Sequence, residues 1–283
     1  MDLNIGFIGM SHLGLNSAAA AAEKNYKVVC YDNNKNLIKN LNNEINDIKE
    51  PDLDNILKKK KDYIKFTSKI NDIFSCDIIY ISGDIPTNNN GESELHEIRS
   101  ILKNLSKLIK NGTILVILSQ IPPGFTRLIK DIFDKKIIIY YQVETLIFGR
   151  AIQRAMFPER IIIGSDFPNE PINKKLNYFL NSFNCPIINM SYESAEFAKI
   201  SINCFLVSSV STANTLSEIC EHIGADWNEI IPALKLDKRI GKYAYLNPGL
   251  GISGGNLERD LATVVKLSKK KKSDIGVIEG YLN

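Results

Sequence analysis

Residues 1–32 limit what this chain can fold into more than any other part of it. Asn4–Ile8 is a short apolar run, followed by Gly9-Met10-Ser11-His12-Leu13-Gly14 and then an alanine-rich stretch. A strand, a glycine-punctuated turn and a helix in that order open a βαβ unit. Gly9 permits the tight turn and Gly14 permits close helix–strand packing. The helix N-terminus then offers free N–H groups and its positive dipole end to a pyrophosphate. The middle glycine of the usual G-x-G-x-x-G is Ser11, a small side chain that narrows the approach of the phosphate. Asp32 closes the second strand, Lys27–Tyr31, 23 residues after Gly9. A carboxylate there accepts hydrogen bonds from adenosine ribose hydroxyls and repels a 2′-phosphate, which favours NAD over NADP. The cofactor is expected to meet Gly9, Ser11, His12, Leu13, Gly14, Asp32 and Lys35. His12 either touches a phosphate or stands as an exposed loop residue. The alternative to a cofactor site is a Rossmann-like domain that no longer holds one.

The remainder of the chain continues this alternation. Runs at 77–82, 113–118, 136–140, 160–164 and 186–189 are nearly continuously apolar and rich in Ile, Val and Tyr. That is the pattern of strands buried on both faces. Helical patterns at 15–24, 95–109 and 126–133 lie between them. Alternation of this kind predicts an α/β fold with a Rossmann-type, doubly wound, mostly parallel sheet. After Tyr192 the pattern changes. Residues 193–223 hold neither Pro nor Gly and predict one long helix, suited to linking domains or to forming a homodimer interface. Trp227–Leu236 and 256–269 predict further helices around a Gly/Pro-rich loop at 243–255. The expected organisation is an NAD-binding domain over 1–190 and a smaller all-helical substrate and dimerisation domain over 191–283.

Composition narrows the function class. The net charge is +3, from 35 basic and 32 acidic residues. That balance argues against nucleic acid or an anionic membrane as partner. The lysine runs 58–61 and 269–272 are exceptions, expected as solvated surface or, alternatively, as anion-binding patches. No apolar run approaches about 20 residues, so no membrane span is expected. The N-terminus lacks a basic leader and a cleavage site. Five cysteines, Cys30, Cys76, Cys185, Cys204 and Cys220, stand far apart without a C-x-x-C pair; several sit inside apolar segments and predict buried thiols in a reducing, cytoplasmic setting. No cluster has metal-ligand spacing.

Several later segments resemble the UDP-glucose/GDP-mannose dehydrogenase family. Ser119-Gln120-Ile121-Pro122-Pro123-Gly124-Phe125-Thr126 is similar to its S-T-V-P-x-G-T-T turn. Glu144-Thr145-Leu146-Ile147-Phe148-Gly149-Arg150-Ala151, with Pro158-Glu159-Arg160-Ile161-Ile162-Ile163-Gly164, is similar to P-E-F-L-x-E-G-x-A … P-x-R-I-V-I-G. Glu193-Ser194-Ala195-Glu196-Phe197-Ala198-Lys199 and Asn203 are similar to the E-A-E-x-x-K-x-x-x-N helix. Asp237-Lys238-Arg239-Ile240-Gly241 is similar to D-x-R-I-G, and the stretch from Pro248 to Leu261 to P-G-x-G-F-G-G-S-C-F-P-K-D-L. The resemblance runs in order over nearly the whole chain. It implies oxidation of a sugar primary alcohol, first to an aldehyde and then, through a cysteine thiohemiacetal, to a carboxylate, with two NAD molecules reduced in turn. It places Gln120 at the cofactor, and Glu144 and Asp260 near the reacting centre. Arg239, Gly251, Gly254 and Gly255 fall to the substrate. The nucleophilic cysteine aligns with Asn256, and an amide cannot form that adduct. Ile147, Phe148, Arg154 and Glu258-Arg259 also replace family residues. The sequence ends at Asn283, about where the connecting helix to the family's last domain would run, so a protein without that domain is expected.

Lys199 and Asn203, four residues apart, share one helix face. A lysine in a dry cleft can exchange a proton with a substrate hydroxyl, and Asn203 can bond the same oxygen. The apolar neighbours Phe197, Ala198, Ile200, Ile202 and Phe205 predict that this side is buried; otherwise Lys199 is a helix-surface lysine. Glu144 and Asp260 have a plainer alternative as capping or surface carboxylates, and the glycine loop as a connector. The expected function is an NAD-dependent oxidoreductase performing one two-electron alcohol–carbonyl interconversion, with Lys199, Asn203, Asp260, Glu144 and Asn256 at the reacting centre. The substrate is either a nucleotide sugar or a smaller hydroxylated compound. A catalytically inactive relative with a regulatory role and an NAD-recycling epimerase are the alternatives.

Overall fold

The computed structural model describes residues 1–88, 92–133, 137–249 and 255–282, apart from the side chains of Gly255 and Asn256. Eight strands form one sheet: β1 (Asn4–Ile8), β2 (Lys27–Tyr31), β3 (Ile64–Thr67), β4 (Ile78–Ile81), β5 (Ile114–Ile117), β6 (Ile138–Gln142), β7 (Ile161–Ser165) and β8 (Ile187–Ser191). The helices are α1 (His12–Glu23), α2 (Lys35–Asn42), α3 (Leu53–Lys59), α4 (His96–Leu108), α5 (Phe125–Lys130), α6 (Ala151–Met156), α7 (Lys174–Asn181), α8 (Tyr192–Ile223), α9 (Trp227–Leu236), α10 (Gly255–Lys271) and α11 (Gly276–Leu282), with a 3₁₀ turn at Ile70–Ser75.

Strand order is β3-β2-β1-β4-β5-β6-β7-β8. All neighbouring pairs are parallel except β6 and β7. The chain winds outward in opposite directions from β1 and β4. Their carboxyl ends therefore splay connections apart and open a crevice between them. β4 and β5 are buried at every residue, as strands covered on both faces must be. α1 packs tightly because its buried side is alanine: Ala18, Ala19, Ala20, Ala21 and Ala22 are all inaccessible.

Residues 1–86 with 94–197 form one compact unit, and 87–93 with 198–283 a second. The division falls inside α8, whereas the change of sequence pattern put it near Ser191. The reason is that the first turns of α8 still belong to the sheet's packing. Tyr192 is buried with its hydroxyl donating to Ile139 O at 2.7 Å, and Glu196 is buried against the loop after β5.

The second unit is helical. Ala213, Cys220 and Trp227 form its small core with Ile230, Ile231 and Leu234. Trp227 Nε1 donates to Leu246 O at 2.9 Å, and Tyr281 Oη to Ser208 Oγ at 2.8 Å, which returns α11 to α8. Thr87 and Ser93 pair as an antiparallel bridge, and Arg259 Nη1 donates to Thr87 Oγ1 at 3.4 Å. Lys266 pairs with Glu92.

The edge strand β3 and helices α2, α3, α6, α7 and α11 are additions to the sequence pattern. All are short, so none sustains a legible period. The strand expected at 136–140 is β6 at Ile138–Gln142, and its residue 136 lies outside the described part.

Candidate functional site

The loop after β1 is shaped by close backbone approaches. Gly9 has φ +96°, and a Cβ there would come within 2.6 Å of Gly83 Cα. A Cβ on Gly14 would lie 1.8 Å from Gly9 O. Ser82 Oγ donates toward Ile8 O and Gly9 O, both at 3.1 Å. Ser11 occupies the N-cap of α1 in extended conformation without capping the helix. Its hydroxyl donates instead to Ser82 O at 3.0 Å. The first-turn amides of α1 are therefore left without a side-chain cap, and that turn carries no acid. This arrangement suits an anion. The Ser11 hydroxyl is drawn to the residue just past β4, which answers the narrowing that replacement of the middle glycine brings.

Asp32 is fixed from both sides. Its Oδ2 accepts from Met10 N at 2.8 Å and its Oδ1 from Asn34 N at 2.9 Å. It borders a groove of about 390 Å³, also lined by Gly9, Ser11, Pro86, Ile101 and Ser119. Asp84, Glu94 and Glu97 lie along the same groove, and no Lys or Arg is among its described lining residues. Such a wall accepts ribose hydroxyls and offers nothing to neutralise a 2′-phosphate. Lys35, exposed at the start of α2, is not among those residues, and Leu13 is buried in the core. Gln120 is half-buried just past β5.

His12 is not an exposed loop residue. It is the first residue of α1, its ring lies 4.3 Å from that of Phe148, and its Nε2 is 2.7 Å from Glu50 Oε1. Glu50 also accepts from Gly149 N at 2.8 Å and Ala151 N at 3.2 Å. Burial pushes the Glu50 carboxyl up, but the His12 bond and the two backbone N–H bonds outweigh it, so the group is held below the usual range. Glu144 stands half-buried beyond β6, with Oε2 accepting from Leu146 N at 2.8 Å.

In the second unit Asn203 Nδ2 donates to Asp260 Oδ2 at 2.6 Å, and both residues are buried. Lys199, half-buried, precedes Asn203 by one turn of α8. The helix around them is less enclosed than its composition predicts: Ile200 is buried, but Phe197 and Phe205 are exposed, because a 32-residue helix cannot bury all its faces in so small a unit. Cys204 has its thiol pushed up, first by burial and then by the charge of Asp260. Arg239 is exposed and folds back onto Asp237, with Nη2–Oδ2 at 2.6 Å. Gly255 opens α10, whereas Gly251, Gly254 and the Asn256 side chain lie outside the described residues.

Sequence patterns did not single out Glu50, Ser82, Gly83 or Glu196 as part of these arrangements. Glu196 is wholly buried and accepts from Thr126 N at 2.8 Å and from Gly124 N at 2.5 Å. Its carboxyl is pushed up by burial, against the pull of the Thr126 and Gly124 bonds. Its signal in sequence was its place in the stretch similar to E-A-E-x-x-K-x-x-x-N. Among the described residues no group of three His, Cys, Asp or Glu could hold a metal ion, and no helix is long and apolar enough to cross a membrane.

Residues 3–178 match the UDP-glucose/GDP-mannose dehydrogenase family, NAD binding domain, and residues 193–283 match the central domain of the same family. The chain is 30% identical over 288 aligned residues to the UDP-glucose 6-dehydrogenase TuaD of Bacillus subtilis, covering 98% of this chain and 62% of that protein. A UDP-glucose 6-dehydrogenase of Rickettsia bellii is 28% identical, with 99% and 66% covered. The chain thus spans about two thirds of the length of these curated relatives. A solved UDP-glucose dehydrogenase from Pyrobaculum islandicum superposes with a TM-score of 0.86 at 22% identity, covering 100% of this chain and 67% of the other.

Proposed function

Because this chain belongs to the UDP-glucose/GDP-mannose dehydrogenase family, we propose that it is an NAD-dependent oxidoreductase acting on a hydroxyl of a nucleotide sugar, and that it removes one hydride rather than two. The observation that carries this reading is the buried Asn203–Asp260 hydrogen bond with Lys199 one turn earlier on the same helix. The Gly9–Gly14 loop would hold the pyrophosphate and Asp32 the ribose; NAD bound there supplies the hydride acceptor.

Lys199 takes the hydroxyl proton as the carbon becomes a carbonyl. Asp260 fixes the Asn203 amide by accepting one of its two N–H bonds. The other N–H and the amide oxygen are left to orient the substrate oxygen. Glu144 serves as a second acid near the reacting centre, and Arg239 turns from Asp237 to an anionic part of the substrate. The products of this step are the carbonyl compound, NADH and a proton.

The second oxidation needs a thiolate, and position 256 supplies an amide. Cys204, the nearest cysteine in sequence to the pair, is held as a thiol by burial and by the Asp260 charge. Incubation with UDP- and GDP-sugars should give one NADH per substrate consumed. Two NADH with an acid product overturn the reading, and NAD binding without turnover across the panel favours an inactive relative. We also propose a homodimer through α8, whose exposed Phe205, Leu216, Ile219 and Ile223 lie within about 60° of one another around the helix axis.

A further inference from the structure

A carboxylate taken out of water needs full compensation. The Glu50 side chain is 1% exposed, and its three partners come from two different loops. One is His12, at the start of α1 where the fingerprint loop ends. The others are the amides of Gly149 and Ala151, in the turn that continues from Glu144 into α6. Phe148, in that same turn, closes over the His12 ring. The two loops thus share one buried charge and one ring stack, although 99 residues separate Glu50 from Gly149.

We propose that Glu50 is a positioning residue that couples the cofactor loop to the Glu144-bearing turn, so that NAD bound against α1 orders residues 147–151, and order in that turn tightens NAD binding. This rests on the NAD-binding reading above. The physical route is short. Pyrophosphate at the first turn of α1 restrains His12, His12 restrains Glu50, and Glu50 restrains the Gly149 and Ala151 amides it accepts from. By reciprocity, any variant that cuts this route must weaken the response in both directions.

The test follows amide hydrogen exchange at Gly149 and Ala151 by NMR, with and without NAD, beside titration calorimetry for NAD. The proteins are wild type, His12→Phe, His12→Tyr and Glu50→Gln. NAD should slow exchange at both amides about fivefold or more in wild type. His12→Phe keeps the ring on Phe148 but removes the bond to Glu50, and should lose the slowing and bind NAD about fivefold more weakly. His12→Tyr restores a donor aimed at Glu50 and should recover both. Glu50→Gln should behave as His12→Phe; if it does not fold, the two His12 variants decide. Wild type that binds NAD with no change at 149 and 151, or His12→Phe that keeps the full response, overturns the coupling while leaving the cofactor site intact. Wild type that does not bind NAD overturns both.

Discussion

At the scale of single residues, the glycines of the first loop are the clearest case of sequence dictating structure. Gly14 faces Gly9 O so closely that any Cβ must displace α1. Gly14→Ala should cost about 2–3 kcal/mol of stability and weaken NAD binding about a hundredfold, since a shift of about 1 Å at a ligand-holding element has effects of that order. Thermal unfolding and calorimetric titration check this; NAD affinity within threefold of wild type would contradict it. Gly9, Gly14 and Asp32 were legible because what each requires is local: a turn, a close packing, an acid at a strand end. Glu50 and Ser82 were not, since their partners lie 38, 99 and 101 residues away in one case and 71 to 74 in the other. Asn203 and Asp260 stood out only by family resemblance; their mutual bond spans 57 residues and has no signature in spacing.

At the scale of elements, the buried strands, the long helix and the short α5 were readable, and the short helices α2, α3, α6, α7 and α11 were not. β4 and β5 announce themselves through unbroken apolar runs, whereas six-residue α5 and α6 are held by what surrounds them. α5 shows how. Arg127 on it pairs with Asp166 after β7 and with Glu193 on α8, and Lys130 pairs with the same Asp166. The Lys130 bond, burial opposing it, and the Arg127 bond leave the Asp166 carboxyl below the usual range. A depressed carboxyl stabilises the fold above its unfolded value of about 3.9 and loses that contribution as pH falls through the folded value. Asp166→Asn should therefore cost about 1 kcal/mol at pH 7, a modest figure because both cations are half in water. The gap in urea midpoint between variant and parent should shrink as the solution is acidified below about pH 4, the unfolded carboxyl value. A gap independent of pH would rule the ion cluster out as its source.

At the scale of the whole molecule, the α/β class and the helical second part followed from the change of pattern at Tyr192. The packing divides about two turns further on, inside α8, and a helix gives no sign in sequence of where along its length it passes from one packed unit to another. Association belongs to this scale too, and the homodimer expected from the long helix is still a proposal. The apolar stripe on α8 looked like core, yet Phe205 is 77% and Ile223 71% exposed. If the proposed homodimer forms there, light scattering should give twice 31.8 kDa for the parent, and Phe205→Asp should give 31.8 kDa with an unchanged fold by circular dichroism. A parent that is already a monomer would remove α8 as the interface.

The excursion at 87–93 bears on how such a protein can be cut and recombined. It leaves the sheet-bearing unit, joins the helical one and returns, and there Thr87 meets Arg259 and Glu92 meets Lys266. No single scission separates the two units cleanly. A gene fragment ending in α8 carries away a strip that belongs to its neighbour, and a fragment beginning there leaves the buried guanidinium of Arg259 facing a gap. Swapping one unit between relatives therefore calls for one junction on each side of the strip and a third in the helix, with seven residues travelling as a separate cassette.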